Sequence, residues 1–231
     1  MSPPKPAFHI FHPLLAGATL HDRIVASGGA LVGLVLTAMI CAQARLGGPD
    51  LPAMIAPIGA SAVLLFALPA SPMAQPWPIF GGSVASATIG VLVSRWLGHG
   101  PEAIGVAVAG AILVMSLLRC LHPPGGAVAM TAVVGGPAIW AAGFAFPFGL
   151  VALNAAVVVA TGWLFHRASG HSYPHRPAPV AVTAAAGRLH HDDIRMALAD
   201  AGETFDISEA DLEVLLSRAE EYAERRRAQQ A

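Results

Sequence analysis

Between Ile24 and His166 the chain carries only five charged residues: Arg45, Asp50, Arg95, Glu102 and Arg119. So long a stretch with so little charge does not make a soluble surface, and more than half of the whole chain is apolar. The solvent for this part is therefore lipid, where every backbone polar group must find a partner inside the protein. The remainder is different. Residues 188–231 hold eleven acids against six arginines and are soluble in character. The net charge of −1 averages two unlike parts and says nothing about partners. No cleavable leader is expected in residues 1–23, which contain early prolines, Lys5 and the pair Asp22-Arg23 but no apolar core.

Six apolar segments can be drawn: Ile24 to Ala44, Leu51 to Leu68 interrupted by Pro57, Trp77 to Trp96, Glu102 to Leu121, Gly125 to Val134, and Trp140 to Trp163. A crossing helix needs about 20 residues for about 30 Å of hydrocarbon. The four tryptophans bracket the third and sixth segments, as expected of residues that favour the membrane interface. At 1.5 Å per residue these two segments reach about 29 Å and about 35 Å, each a single crossing. The fifth is too short for a full helix, and the second is interrupted by Pro57. They either combine an extended piece with a half-helix or re-enter from one side, so four and six crossings both remain open. Either count puts the two termini on one side. Lys5, Arg23, Arg167, Arg176 and Arg188 place that side in the cytoplasm, with Arg45 and Arg95 weighing the other way.

The most unusual stretch is His122-Pro123-Pro124-Gly125-Gly126. Two prolines remove two backbone donors and disfavour helix in the residue before each. Broken backbone at membrane depth survives where it is buried in protein or lines a cavity. Pro57-Ile58-Gly59-Ala60-Ser61-Ala62 resembles Pro123-Pro124-Gly125-Gly126-Ala127-Val128, and the tryptophan pairs recur at a similar offset. Each half then reads as helix, broken segment, Trp-bracketed helix. Paired broken segments of this kind point to a transporter's binding site.

A helix starting at Gly125 is expected to leave the N–H groups of Gly125, Gly126, Ala127 and Val128 unpaired, with the positive end of the helix dipole behind them. Helix N-termini of this kind hold anions. The same logic applies to Gly59-Ala60-Ser61, where the Ser61 hydroxyl adds a donor. Arg119, three residues before His122, would raise anion occupancy or snorkel to an interface. The candidate substrate-binding set is thus His122, Pro123, Pro124, Gly125, Gly126, Ala127, Arg119, Gly59, Ala60 and Ser61, against the bland alternative of a packing kink. Gly28, Gly29, Gly33, Gly81, Gly82 and Gly90 read as close-packing residues. Cys41 and Cys120 read as apolar fillers. His166, His171 and His175 lack metal-ligand spacing, so no metal and no cofactor is expected. No nucleophile–base or carboxylate pair stands out, so an enzyme is not expected.

In the tail, Asp192 to Ala201 and Ser208 to Arg227 read as two helices. Ser208 and Asp211 form a cap-like start, and Leu212, Leu215, Leu216, Ala219 and Tyr222 form an apolar stripe. The arginines 225–227 suit that helix's C-terminus rather than nucleic acid, which is not expected as a partner.

The expected fold is all-α. It is a polytopic transmembrane helix bundle of two three-segment repeats with broken helices, followed by a short soluble C-terminal helical tail. Its parts are residues 1–23, a membrane domain over 24–167, a linker over 168–187 and a cytoplasmic tail over 188–231. The expected partners are the lipid bilayer and a small anion, with a homo-oligomer compatible.

Several stretches together resemble the HPP family of integral membrane proteins. They are Leu121-His122-Pro123-Pro124-Gly125-Gly126-Ala127, the run from Pro57 to Phe66, Ser71-Pro72-Met73-Ala74-Gln75-Pro76-Trp77, the run from Leu15 to Leu20, and Tyr173-Pro174-His175. The resemblance implies at least four spans and a transport role, with nitrite as the substrate linked to plant relatives. It implies a multi-pass protein of the bacterial inner membrane. Many bacterial members continue into CBS domains after a linker resembling residues 192–227, and the sequence stops at Ala231 without one. The reading is therefore a transporter or channel for a small anion, with nitrite first. The alternative is a membrane sensor or scaffold whose tail recruits a partner.

Overall fold

A computed structural model describes residues 19–44, 51–170, 172–176, 190–201 and 206–230. The motif at 15–20 lies largely outside these residues, as do Lys5, Arg45, Asp50, His171 and Arg188 and most of the linker. Among the described residues the elements are helical and there is no strand. The helices are α1 (Leu20–Ala44), α2 (Pro57–Ala67), α3 (Ser83–Leu97), α4 (Pro101–Leu117), α5 (Pro124–Val134), α6 (Pro137–Ala142), α7 (Ala152–Ser169), α8 (His191–Ala201) and α9 (Glu209–Gln230). Single π-helical turns, Pro78–Gly82 and Phe146–Val151, lead into α3 and α7.

Local chemistry explains the starts. α2, α4, α5 and α6 each begin at a proline, where a missing N–H costs no helical bond. α1 starts four residues before the expected Ile24 because Thr19 and Asp22 cap it reciprocally: Thr19 N–H donates to Asp22 Oδ2 at 2.9 Å and Asp22 N–H to Thr19 Oγ1 at 3.2 Å. In α9, Ser208 Oγ accepts from Asp211 N–H at 3.1 Å, as the sequence suggests.

Three helical stretches are long and apolar enough to cross a membrane: Leu20–Ala44, Pro78–Leu97 and Phe146–Ser169. α2 and α5 have 11 residues each and α4 has 17. The chain reverses repeatedly between two ends. Arg23 at the start of α1 donates to Ala67 O at the end of α2 (2.9 Å), and His166 near the end of α7 pairs with Leu65 O (2.8 Å). Trp77, before α3, donates to Leu118 O, just beyond α4, at 3.1 Å. At the opposite end His99 Nδ1, after α3, meets Val133 O, at the end of α5, at 3.0 Å. Trp77 and Trp163 therefore lie toward one end and Trp96 and Trp140 toward the other. All four are exposed, as interface anchors are.

Glycines set how closely the helices approach. A Cβ on Gly90 would lie 2.4 Å from Ala129 O, and one on Gly82 would lie 2.5 Å from Cys120 O. α3 and α5 thus touch backbone to backbone, which only small residues permit. Gly29 and Gly33 of α1 receive the Phe165 and Phe66 rings. Gly28, by contrast, has open space around it.

One expected span is corrected. Trp140 to Trp163 is not one helix. α6 ends at Gly143, which has φ 51° and whose N–H caps Trp140 O at 3.2 Å; the chain then re-enters helix at Phe146. A positive φ of this size suits glycine and ends a helix. Trp140 instead stacks on His99 with ring centroids 3.6 Å apart.

Candidate functional site

The two broken segments meet. His122 is fully buried between them. Its Nδ1 lies 2.9 Å from Met73 O, and its Nε2 lies 2.8 Å from Ser61 Oγ. A carbonyl oxygen can only accept, so Nδ1 carries the proton. In the neutral ring Nε2 is then an acceptor, and the Ser61 hydroxyl donates to it. The 3.4 Å approach of Ser61 Oγ to Pro57 O is too long to compete. The motif histidine is therefore a pin. It joins α2, the loop around Met73 and the break before α5, and both its nitrogens are occupied.

The first-turn donors of α5 differ from expectation. Gly125 N–H donates to His122 O at 2.8 Å and Gly126 N–H to Pro123 O at 3.1 Å. At the start of α2, Ile58 N–H donates to Ile55 O at 3.1 Å and Gly59 N–H to Ala56 O at 3.0 Å. Tight i to i−3 turns thus take up the Gly125, Gly126 and Gly59 donors that were expected to be free, because Pro123 (φ −52°, ψ −41°) and Ala56 (φ −55°, ψ −38°) are helical although a proline follows each. The dipole's positive end remains at both sites. Ser61, expected as a free donor, already donates its hydroxyl hydrogen bond to His122 Nε2.

The remaining candidates divide. Pro124 and Gly125 are buried with His122, whereas Pro123 and Ala127 are exposed and Gly126 is half-buried. Gly125 is needed for packing: a Cβ there would meet Ser86 Oγ at 2.6 Å and Met115 Sδ at 2.8 Å. Gly59 is half-buried and Ala60 exposed, and a Cβ on Gly59 meets nothing within 4 Å. Arg119 is exposed, and the His122 ring bonds Ser61 and Met73 instead of it. Arg119 has φ 52°. Its N–H bonds Ser116 O at 3.2 Å, and Cys120 N–H bonds Met115 O at 2.9 Å, which closes α4 as a Schellman turn. Glycine normally holds that position; an L side chain there is disfavoured by about 1–2 kcal/mol. This turn also ends α4 four residues before the expected Leu121.

Three features were not singled out from the sequence. Asn154 is fully buried in α7; its Oδ1 accepts from Ile55 N–H at 3.0 Å and its Nδ2 donates to Ala53 O at 3.0 Å. It satisfies the non-helical backbone that leads into α2. Ser83 and Ser86 of α3 are fully buried with hydroxyls that find no partner. A lone Asn or Ser in an apolar run carries little signal until the facing backbone is known.

Toward the Arg23 end, the loop before α3 is tied to the chain beyond α7. Tyr173 Oη donates to Ala74 O at 2.9 Å, and His175 N–H to Gln75 Oε1 at 2.8 Å. Burial pushes the Tyr173 hydroxyl well above its ordinary pKa. The tail docks on the same loop. Ser71 Oγ donates to Asp206 Oδ1 at 2.8 Å, and His175 Nε2 lies 2.7 Å from Asp211 Oδ1. Burial alone would raise the Asp211 pKa, but hydrogen bonds from His175 and Ser208 outweigh it and hold it below the usual value.

Apolar helices bounded by exposed tryptophans, with two proline-broken helices pinned together inside, define an integral membrane protein of the helical-bundle class. Residues 16–174, more than half of the chain, match the family described as HPP, transmembrane region, and the chain belongs to that family. It is similar to two transmembrane proteins of Dictyostelium discoideum. One is 31% identical over 150 residues, covering 63% of this chain and 52% of the relative. The other is 33% identical over 126 residues, covering 52% of this chain and 40% of the relative. The chain thus spans about half the length of these relatives or less. No solved structure matches it.

Proposed function

We propose that this protein is a transporter or channel for a small anion, with nitrite the first substrate to test. The observation that carries the reading is the buried Ser61–His122 hydrogen bond, which brings two proline-broken helices together inside an apolar bundle. Broken helices in corresponding places of two halves are where transporters bind ions and substrates. The order of elements fits such halves. Each has a long helix, an 11-residue helix starting at proline, and a π-turn leading into a longer helix. On this reading the halves are inverted with respect to each other. Arg23, Arg119 and Arg167 share one end of the bundle, so the positive-inside rule puts that end, and the tail docked on it, in the cytoplasm.

Gly59→Leu is the informative variant, because a Cβ there meets nothing within 4 Å at the start of α2. Proteoliposomes holding the full chain should take up nitrite, and the variant should do so more slowly at an unchanged melting temperature. Unchanged uptake in the variant would move the site elsewhere.

A further inference from the structure

The tail grips the loop that carries the His122 pin. Between α2 and α3 the chain makes a short helical turn, Pro72–Ala74, with Ser71 before it and Gln75 after it. Within the turn Ala74 N–H bonds Ser71 O at 3.0 Å. A turn this short has little stability of its own, so its neighbours set its shape. Ser71 Oγ donates to Asp206 Oδ1 at 2.8 Å and accepts from Met73 N–H at 3.2 Å. On the other flank Gln75 Nε2 donates to Pro69 O and Ser71 O. Gln75 Oε1 accepts from the N–H of His175, whose ring bonds Asp211 Oδ1 at 2.7 Å. Asp206 and Asp211 thus hold the two flanks of the turn from the tail. Between those flanks, Met73 gives its carbonyl to His122 Nδ1 at 2.9 Å. Three consecutive hydrogen bonds, Asp206 to Ser71, Ser71 to Met73 and Met73 to His122, lead from an exposed tail residue to the fully buried pin.

Burial decides which links release first. Ser71 is 6% exposed, and Ala74 and His122 are fully buried. Asp206 is exposed and Asp211 half-buried, so water screens the tail's own contacts and keeps each weak. Contacts of this kind open before the core does. When Asp206 leaves, the Ser71 hydroxyl loses its acceptor at a place water reaches poorly, which disfavours the turn as it stands. We propose that the docked tail is a latch. Through Ser71 and Gln75 it fixes the turn around Met73 and so holds the His122 pin closed, and its release loosens the break before α5. The sign of its effect on flux rests on the transport reading above: where the break must open for an anion to pass, the docked tail is inhibitory.

The chain's own cysteines report the test. Cys120 is buried two residues before His122, and Cys41 is buried in the last turn of α1. The purified full chain in detergent is treated with N-ethylmaleimide, and the labelling rate at each cysteine is read by mass spectrometry. The double variant Asp206→Ala, Asp211→Ala should label about fivefold faster at Cys120, the shift expected from two partly screened charged contacts. Its Cys41 should label at the wild-type rate. Asp206→Ala alone should act in the same direction and serves if the double variant does not fold. Unchanged labelling of Cys120 would overturn the latch. An equal rise at both cysteines would overturn it too, because the tail would then steady the whole bundle and not the pin. In liposomes the double variant should carry nitrite faster than wild type. Equal or slower entry, with Cys120 exposed, would overturn the inhibitory sign. Selective exposure of Cys120 in a protein that carries no nitrite would support the latch and count against the transport reading.

Discussion

His122 and Arg119 lie three residues apart and have opposite roles. His122 spends both ring nitrogens on Met73 O and Ser61 Oγ and is closed to solvent. Removing the Ser61 hydroxyl leaves a buried nitrogen without a donor, so Ser61→Ala should cost about 1–3 kcal/mol. Ser61→Thr, which keeps the hydroxyl, should recover most of that. A thermal melt of the three proteins decides; an Ala variant as stable as wild type would mean the bond contributes nothing. Arg119 instead keeps a disfavoured left-handed backbone and an exposed guanidinium. Strain retained at such a place suggests a use for the side chain. Arg119→Gly should relieve about 1 kcal/mol of backbone cost, so the protein should melt at or above the wild-type temperature. If the side chain recruits anions, uptake should fall in the same variant. Uptake at the wild-type rate would reduce Arg119 to an interfacial anchor.

The helices show how much the sequence could reveal. The proline starts of α2 and α5, the tryptophan-bounded α3 and the two tail helices were all legible, because proline, tryptophan and cap residues act locally. The kink at Gly143 was not, because a glycine followed by apolar residues can also sit within a span. The free N–H groups expected at Gly125 and Gly126 failed for a related reason: whether a first turn closes on itself depends on ψ before the prolines, which sequence does not fix. His122 was legible as special, but its partners lie 61 and 49 residues away. The α3–α5 contact follows from glycine. Gly90→Ala would place a Cβ 2.4 Å from Ala129 O and should cost about 1–3 kcal/mol through overpacking. Gly126→Ala, whose Cβ would sit 3.7 Å from Val108, should be neutral or better. Equal melting temperatures for both variants would show that the two helices are not in backbone contact.

The tail docks on the membrane part through Asp206, just before α9, and Asp211 in its first turn. His175, a docking contact, and Ser208, within the tail itself, together lower the Asp211 pKa, so the His175 contribution to docking is fully present above the ordinary value of 3.8. That contribution is lost as pH falls through the lower, docked value. Protease cleavage of the tail should therefore stay slow at neutral pH and accelerate only in strong acid. Asp211→Asn should be cleaved faster than wild type already at neutral pH. Identical cleavage of the two proteins would mean that this contact does not hold the tail.

At the scale of the bundle, the arginines at one end, the tryptophans at both and the pinned broken helices inside all fit a protein that moves a small anion across lipid. The decisive measurement is the initial rate of nitrite entry into liposomes containing the full chain, beside empty liposomes. Saturable nitrite entry above the empty control is the predicted result. Nitrite entry no faster than in empty liposomes, from protein shown to be folded and inserted, would contradict it.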